Sequence, residues 1–274
     1  RPKCTATIGA LSISIMLFSG FVCLTFVGRP PTFDAVAPQE IDCKNVILPN
    51  IGATIDVYLG NGCFWERQWA YINVEGSAPF NRAHDQFTSL VGYAGGTTVS
   101  SEVCYHTGDG RDYSRLGHAE AVQVTLNASS ASAQMEALAK DFFTSFTGPS
   151  GRRARPDPMD VGTPYRSFVG LPGGMCSPLY PIFAAANKFG MEIRLGKGGD
   201  ADAMNTVWVM DTASFPFYRG EAYHQFHCNF FASEGMPYPD SYTLGLWREQ
   251  QASGKVRTTG CPEAYHGRCQ TMFG

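Results

Sequence analysis

The chain is short of charge. Only 16% of its 274 residues are Asp, Glu, Lys or Arg, against about 25% in an ordinary soluble domain. Twenty-one basic and 24 acidic side chains give a formal net charge of −3, which excludes a protein held to nucleic acid by bulk charge. Part of the shortage is local. Residues 4–28 carry no charged side chain, and the remaining 249 residues are about 18% charged, which is ordinary for an enzyme. No C-x-x-C pair occurs, so neither a paired zinc site nor a thioredoxin-like exchange motif is written into the chain. The looser groups His224, His227, Cys228 and Cys261, His266, Cys269 lack that paired spacing, so no metal is expected. No Gly-rich phosphate loop follows a strand-like segment, and no repeat is visible. Aromatic residues are not scarce, and at 13% they exclude disorder.

The uncharged stretch is itself a signal. Residues 5–28 form one apolar run between Lys3 and Arg29, and about 20 apolar residues in a helix span a bilayer. This predicts an N-terminal hydrophobic helix acting as a signal-anchor. Ala35-Val36-Ala37 supplies an A-x-A-like site, so a cleaved signal or an organelle leader is the alternative. Residues 29–45 hold three prolines without periodicity and read as a linker. The chain therefore divides into a targeting segment and linker, 1–45, and a catalytic domain with a C-terminal tail, 46–274. The expected location is a membrane surface, the secretory pathway or an organelle.

In the second part, Thr54–Leu59 alternates as a strand and Cys63–Ile72 reads as a helix with Trp65, Trp69 and Ile72 on one face. Phe87–Tyr93, Ala119–Leu126, Ser167–Leu171 and Thr206–Met210 read as strands, and Ser130–Phe146, Leu179–Phe189 and Gly220–Phe231 as helices. The last 40 residues look like coil. The expected fold class is α+β, a two-layer α/β sandwich with a ferredoxin-like core and a mixed sheet, followed by a long C-terminal coil.

Nine cysteines stand at 4, 23, 43, 63, 104, 176, 228, 261 and 269. Cys63 is singled out by its place, after a strand and a Gly60-Asn61-Gly62 turn and at a helix start. Free N–H groups there can lower a thiol pKa and make it a nucleophile. Gly62-Cys63-Phe64-Trp65 is followed in order by Gly92-Tyr93-Ala94-Gly95-Gly96, by Glu102-Val103-Cys104 with Gly117-His118-Ala119-Glu120, by Asp160-Val161-Gly162-Thr163-Pro164-Tyr165-Arg166-Ser167, and by Phe217-Tyr218 with Glu221-Ala222-Tyr223-His224-Gln225. Five blocks in this order resemble the A-type peptide methionine sulfoxide reductases.

The resemblance implies attack of the Cys63 thiolate on the sulfur of methionine S-sulfoxide, free or in proteins. Glu120 would be the general acid that protonates the departing oxygen. Phe64 and Trp65 would grip the S-methyl group, and Asp160 and Tyr165 would bind the oxygen or its polar surroundings. Cys63 would become a sulfenic acid, a second thiol would condense with it, and a thioredoxin-like dithiol would reduce the resulting disulfide. A monomer without metal or organic cofactor is expected.

Three features depart from the family pattern. Ser100 stands where a Tyr usually precedes Cys104 by four residues, and Tyr113, in a longer loop that also holds Tyr105, is expected to supply the missing hydroxyl. Glu66 replaces a small residue. The Gly-rich cysteine tail is altered, and Gly260-Cys261-Pro262 makes Cys261 the first candidate for the resolving thiol, ahead of Cys228 and Cys269, with Cys104 and Cys176 read as structural thiols. The loss of the Tyr keeps open an alternative, a membrane-tethered sulfoxide- or peptide-binding relic of the fold with low turnover. Asn127-Ala128-Ser129 is a glycosylation sequon that matters only in a secretory lumen. Arg152-Arg153-Ala154-Arg155 reads as a solvated loop.

Overall fold

The computed structural model describes residues 15–18, 21–24, 43, 53–97, 100–146, 155, 157–228 and 238–264. The chain divides into two compact units, Arg1–Ile41 and Asp42–Gly274. The described part of the first is a hairpin of β1 (Ile15–Phe18) and β2 (Phe21–Leu24), with Ile15 opposite Leu24. This corrects the expected helix over those residues. Ile, Val and Phe favour strands, and a paired ladder satisfies their backbone groups as a helix would. Among the described residues no helix is long and apolar enough to cross a membrane. The A-x-A-like site, the proline linker, Cys4 and Cys269 lie outside the described residues.

The second unit is built on β3 (Thr54–Gly60), β4 (Leu90–Ala94), β5 (Ala119–Asn127), β6 (Phe168–Leu171), β7 (Glu192–Leu195), β8 (Thr206–Asp211) and β9 (Tyr218–Arg219). They form one seven-stranded sheet in the order β7-β8-β6-β3-β5-β4-β9. The pairs β6–β8 and β7–β8 are parallel and the other pairs antiparallel, so the sheet is mixed as expected. The alternation of β3 and β5 sets which side is covered. Ile55, Val57 and Leu59 lie directly opposite Leu126, Val124 and Val122, and these six share a core with the helices. That core receives Phe64 and Tyr71 from α1 (Phe64–Glu75), Met135, Leu138 and Phe142 from α2 (Ala131–Thr144), and Phe183 from α3 (Tyr180–Ala185). On the other face Tyr58, Ala119, Ala121 and Phe168 pack with Phe215 and Phe217.

Two expectations fail toward the C-terminus. Gly220–Phe231 is not a helix over its described part. It holds one 3-10 turn, Ala222–His224, and Phe226 has a left-handed φ of 53°. The cause is tertiary: the Gln225 carboxamide bonds both backbone groups of Val91 and the carbonyl of Gly220, which fixes the segment against the β4 edge. The tail is not all coil either. A π-helical turn, Ser241–Leu246, runs into α4 (Trp247–Ala252). Tyr242 and Leu246 cover Ile72 and Trp69 on the outer side of α1.

Cys43 is bonded to Cys176 and Cys104 to Cys261, and Cys228 is disulfide-bonded as well. Cys104 and Cys176 are therefore bridged cysteines rather than structural thiols, joined to partners 157 and 133 residues away.

The end of α1 is tied to the start of β4 by one buried carboxylate. Glu75 accepts the backbone N–H groups of Thr88 and Ser89 and the Ser89 hydroxyl, and pairs with Arg82 at 2.6 Å. Breaking a buried pair leaves its partner uncompensated, so Glu75→Ala is expected to lower the unfolding free energy by about 3–5 kcal/mol. Urea titration would show this as a lower midpoint at unchanged slope. A loss below about 1 kcal/mol, typical of a surface change, would contradict the assignment.

Candidate active site

Four N–H groups at the start of any helix lack partners within it. At α1 the first two gather two carboxyls. The Cys63 N–H donates to Asp160 Oδ2 at 2.7 Å, and the Phe64 N–H donates to Glu120 Oε2 at 2.9 Å. The Cys63 side chain makes no capping hydrogen bond to the N–H groups that follow it, although those of Trp65 and Glu66 favour its thiolate electrostatically. Arg67 N–H to the Cys63 carbonyl, 3.2 Å, is the first bond of the helix itself.

The turn before Cys63 makes this possible. Gly62 has φ +103°, and a Cβ there would meet Asp160 Oδ2 at 2.8 Å, so glycine is required both by the dihedral and by the carboxylate. Gly62 N–H bonds the Tyr165 carbonyl at 3.2 Å, which holds the 160–166 segment against the turn. Arg155 fixes that segment from behind. It is buried, donates to the Asp160 carbonyl and pairs with Asp202 at 2.7 Å. The solvated-loop reading thus fails for Arg155, and Arg152 and Arg153 lie outside the described residues.

Glu120 sits at the β4–β5 end of the site, 2% exposed. Burial raises its pKa to about 8, reinforced by Asp160 and opposed by the bonds from Phe64 and Tyr113, so it is protonated at neutral pH. Burial likewise lifts Asp160 to about 6. The Tyr113 hydroxyl donates to Glu120 Oε1 at 3.3 Å. Burial first, then Glu120, raises the pKa values of Tyr105, Tyr113 and Tyr165, so all three hydroxyls stay protonated.

Cys63 differs from expectation. A helix N-terminus can lower a thiol pKa, but here burial, then Glu120, then Asp160 push it well above the ordinary value. The Trp65 and Glu66 N–H groups lower it by less than those three raise it. Among the residues whose side chains are described, Cys63 is the free cysteine.

Apolar walls stand beside this polar end. The Phe64 ring lies 6.2 Å from that of Trp65 and 6.4 Å, stacked, from that of Tyr105. The Trp65 indole N–H donates to His224 Nδ1 at 3.2 Å, and His227 stacks on Trp65 at 3.8 Å. That bond fixes the proton of neutral His224 on Nε2, and burial holds its pKa down to about 2. Tyr105 meets His224 edge-on at 4.4 Å and Tyr113 at 5.6 Å. Cys63, Phe64, Trp65, Tyr113, Glu120, Asp160 and Tyr165 are thus brought together. Tyr105 and His227 belong with them and were not assigned from sequence. Tyr105 follows a cysteine whose bridge was not legible, and His227 lay in a segment misread as helix.

Cys261 is not placed with this group as a free thiol. It is bonded to Cys104, 8% exposed, with Gly260 held by Arg111 and the Glu263 carboxylate accepting from Thr259 and Ala222. A bridge across 157 residues, next to Tyr105, replaces the swinging tail that the Gly-Cys-Pro turn suggested.

A family model described as peptide methionine sulfoxide reductase matches residues 55–171. The chain is 32% identical over 179 residues to the "Peptide methionine sulfoxide reductase MsrA" of Methanoculleus marisnigri, covering 64% of this chain and 88% of the relative. It is 35% identical over 116 residues to the protein of the same name from Xanthomonas campestris pv. campestris strain 8004, covering 41% of this chain but only 44% of that relative. The chain thus spans less than half the length of its Xanthomonas relative. A solved structure of methionine sulfoxide reductase A of Corynebacterium diphtheriae is 19% identical, with a TM-score of 0.40 over 70% of this chain and 81% of the other.

A buried carboxyl with a raised pKa stabilises the fold while it is protonated. The Glu120 contribution is complete below its unfolded value near 4.5 and is lost as pH rises toward 8. Denaturant unfolding of Glu120→Gln is therefore expected to show a flatter decline in stability between those pH values than the parent chain. Parallel declines would mean that Glu120 is ionised throughout.

Proposed function

The chain belongs to the peptide methionine sulfoxide reductase family, and from that premise we propose that it reduces the S epimer of methionine sulfoxide, free or in proteins. The observation that carries this reading is the shared helix start, which holds one thiol and two carboxyls with Glu120 protonated at neutral pH. Substrate sulfur meets Cys63, and its methyl group enters the walls of Phe64, Trp65 and Tyr105. Its oxygen faces Glu120, Tyr113 and Tyr165. Glu120 gives a proton to the oxygen while the Cys63 sulfur bonds to the substrate sulfur and loses its own proton to the Glu120 carboxylate, and the hydroxyl then passes to the Cys63 sulfur as its bond to the substrate sulfur breaks. Methionine leaves and Cys63 becomes a sulfenic acid. A raised thiol pKa suits this order of events, because proton donation by the acid and nucleophilic attack are then coupled to substrate entry rather than to ambient pH.

Tyr113 takes the place of the absent Tyr at position 100. Its bond to Glu120 and its contact with Tyr105 support this and disfavour the relic reading. A thiol then attacks the sulfenic acid, releases water and leaves a disulfide, which a thioredoxin-like dithiol reduces. Cys261 can act as that thiol only after its bridge to Cys104 has been opened.

The test is turnover of separate S and R epimers of an aryl methyl sulfoxide with dithiothreitol. The S epimer alone is expected to react, and Cys63→Ser to abolish the reaction. Glu120→Gln should cost about 10²–10⁴ in kcat, the range of general acid catalysis. Tyr113→Phe should cost about tenfold or more in kcat/KM, the worth of one hydrogen bond to a reacting polar group. Unchanged activity in Tyr113→Phe removes its assignment, and turnover of the R epimer overturns the whole reading.

A further inference from the structure

We propose that Asn127 is a site of N-linked glycosylation, so that this chain carries an oligosaccharide at the end of β5 remote from the thiol. Asn127-Ala128-Ser129 is the one Asn-x-Ser/Thr sequence in the chain. A sequon alone proves little, since many are buried or never meet the transferase. Two independent features separate this one from that background.

The first is presentation. β5 ends at Asn127, the 3-10 turn Ala128–Ser130 follows, and α2 begins directly after it. Asn127 and Ser129 are both exposed. The backbone is fixed, with Asn127 N–H donating to Gln134 Oε1 at 2.7 Å and Ala128 N–H to the Ala53 carbonyl at 3.0 Å. The Asn127 side chain, the usual cap of such a turn, makes no capping bond. Its carboxamide is held at the surface on a firm base and has no role in the turn that a sugar would disrupt. Asn127 is also seven residues along the strand from Glu120, about 24 Å at the rise of an extended chain. An oligosaccharide there leaves the thiol pocket open.

The second is the state of the cysteines. Cys43, Cys104, Cys176, Cys228 and Cys261 are all disulfide-bonded, and Cys63, the proposed nucleophile, is the free one among those described. Structural bridges of this density form and persist in oxidising compartments, whereas reducing compartments keep such pairs as thiols. One compartment that closes such bridges, the lumen of the endoplasmic reticulum, is also the one in which sequons are modified. In the transfer the Asn127 Nδ2 displaces a lipid diphosphate from the anomeric carbon of a lipid-linked oligosaccharide. One C–N bond forms, one C–O bond breaks, and the amide loses one proton without any redox change.

The experiment directs the full 274-residue chain into the secretory lumen of a eukaryotic host behind a host leader. The purified product is weighed by mass spectrometry before and after peptide N-glycosidase, and its disulfides are mapped. We expect one loss of mass on digestion, with Asn127 recovered as Asp. The loss should disappear in both Asn127→Gln and Ser129→Ala, while kcat/KM for the S-sulfoxide is unchanged. A product with the Cys104–Cys261 bridge closed, which proves exposure to the lumen, and a bare Asn127 overturns the proposal. So does carbohydrate that survives in Asn127→Gln, and so does a lumenal product that is both unbridged and bare.

Discussion

The constraint on which the site depends is the set of unpaired N–H groups at the start of α1. A helix start must place these donors somewhere, and here the first two go to carboxyls, with the Cys63 sulfur beside them. Asp160 arrives from 97 residues away and Glu120 from 56, so the helix start is also where distant parts of the sheet are brought to one point. Three groups that repel one another as anions are thereby packed together. The low-dielectric setting eases the conflict by keeping protons on Glu120 and Cys63 at neutral pH, so the acid holds its proton before the substrate arrives.

The apolar half of the pocket is maintained by a different device. Trp65 is the second residue of the same helix, and its indole is fixed on one edge by His224 and on one face by His227. Tyr105 completes the wall because Glu221 holds its backbone N–H at 2.7 Å, while the same carboxylate accepts the Tyr93 hydroxyl at 2.6 Å. Cys104, next in sequence, is bonded to Cys261. The C-terminal tail thus supports a wall of the site through the Cys104–Cys261 bridge and the Glu263 carboxylate.

Much of this was legible in the sequence where the signal is local. The strict alternation of β5, the one-faced spacing of α2 and the strand–Gly turn–Cys–aromatic junction at Cys63 each record a period or a turn that neighbouring residues impose by themselves. What was not legible depends on partners far along the chain. The direction of the Cys63 shift could not be read because burial, then the charges of Glu120 and Asp160 from distant parts of the chain, raise it. The pairings of Cys104 with Cys261 and of Cys176 with Cys43 each span more than a hundred residues and leave no spacing pattern. Gly220–Phe231 has helical spacing, yet Gln225 spends its side chain on Val91 and prevents the helix. The tail helix escaped notice because its apolar residues are matched to the outer side of α1, where Trp69 and Ile72 need a cover.

The central claim is that carboxyls, not the thiolate, hold the decisive donors at the start of α1. Ultraviolet titration of the thiolate in the substrate-free protein tests it most directly, with Cys63→Ser as the blank. Cys63 is expected to ionise only above the range of an ordinary thiol, and Glu120→Gln to move the transition downward by removing the neighbouring charge. A Cys63 thiolate already formed below neutral pH, or a transition indifferent to Glu120→Gln, would contradict it.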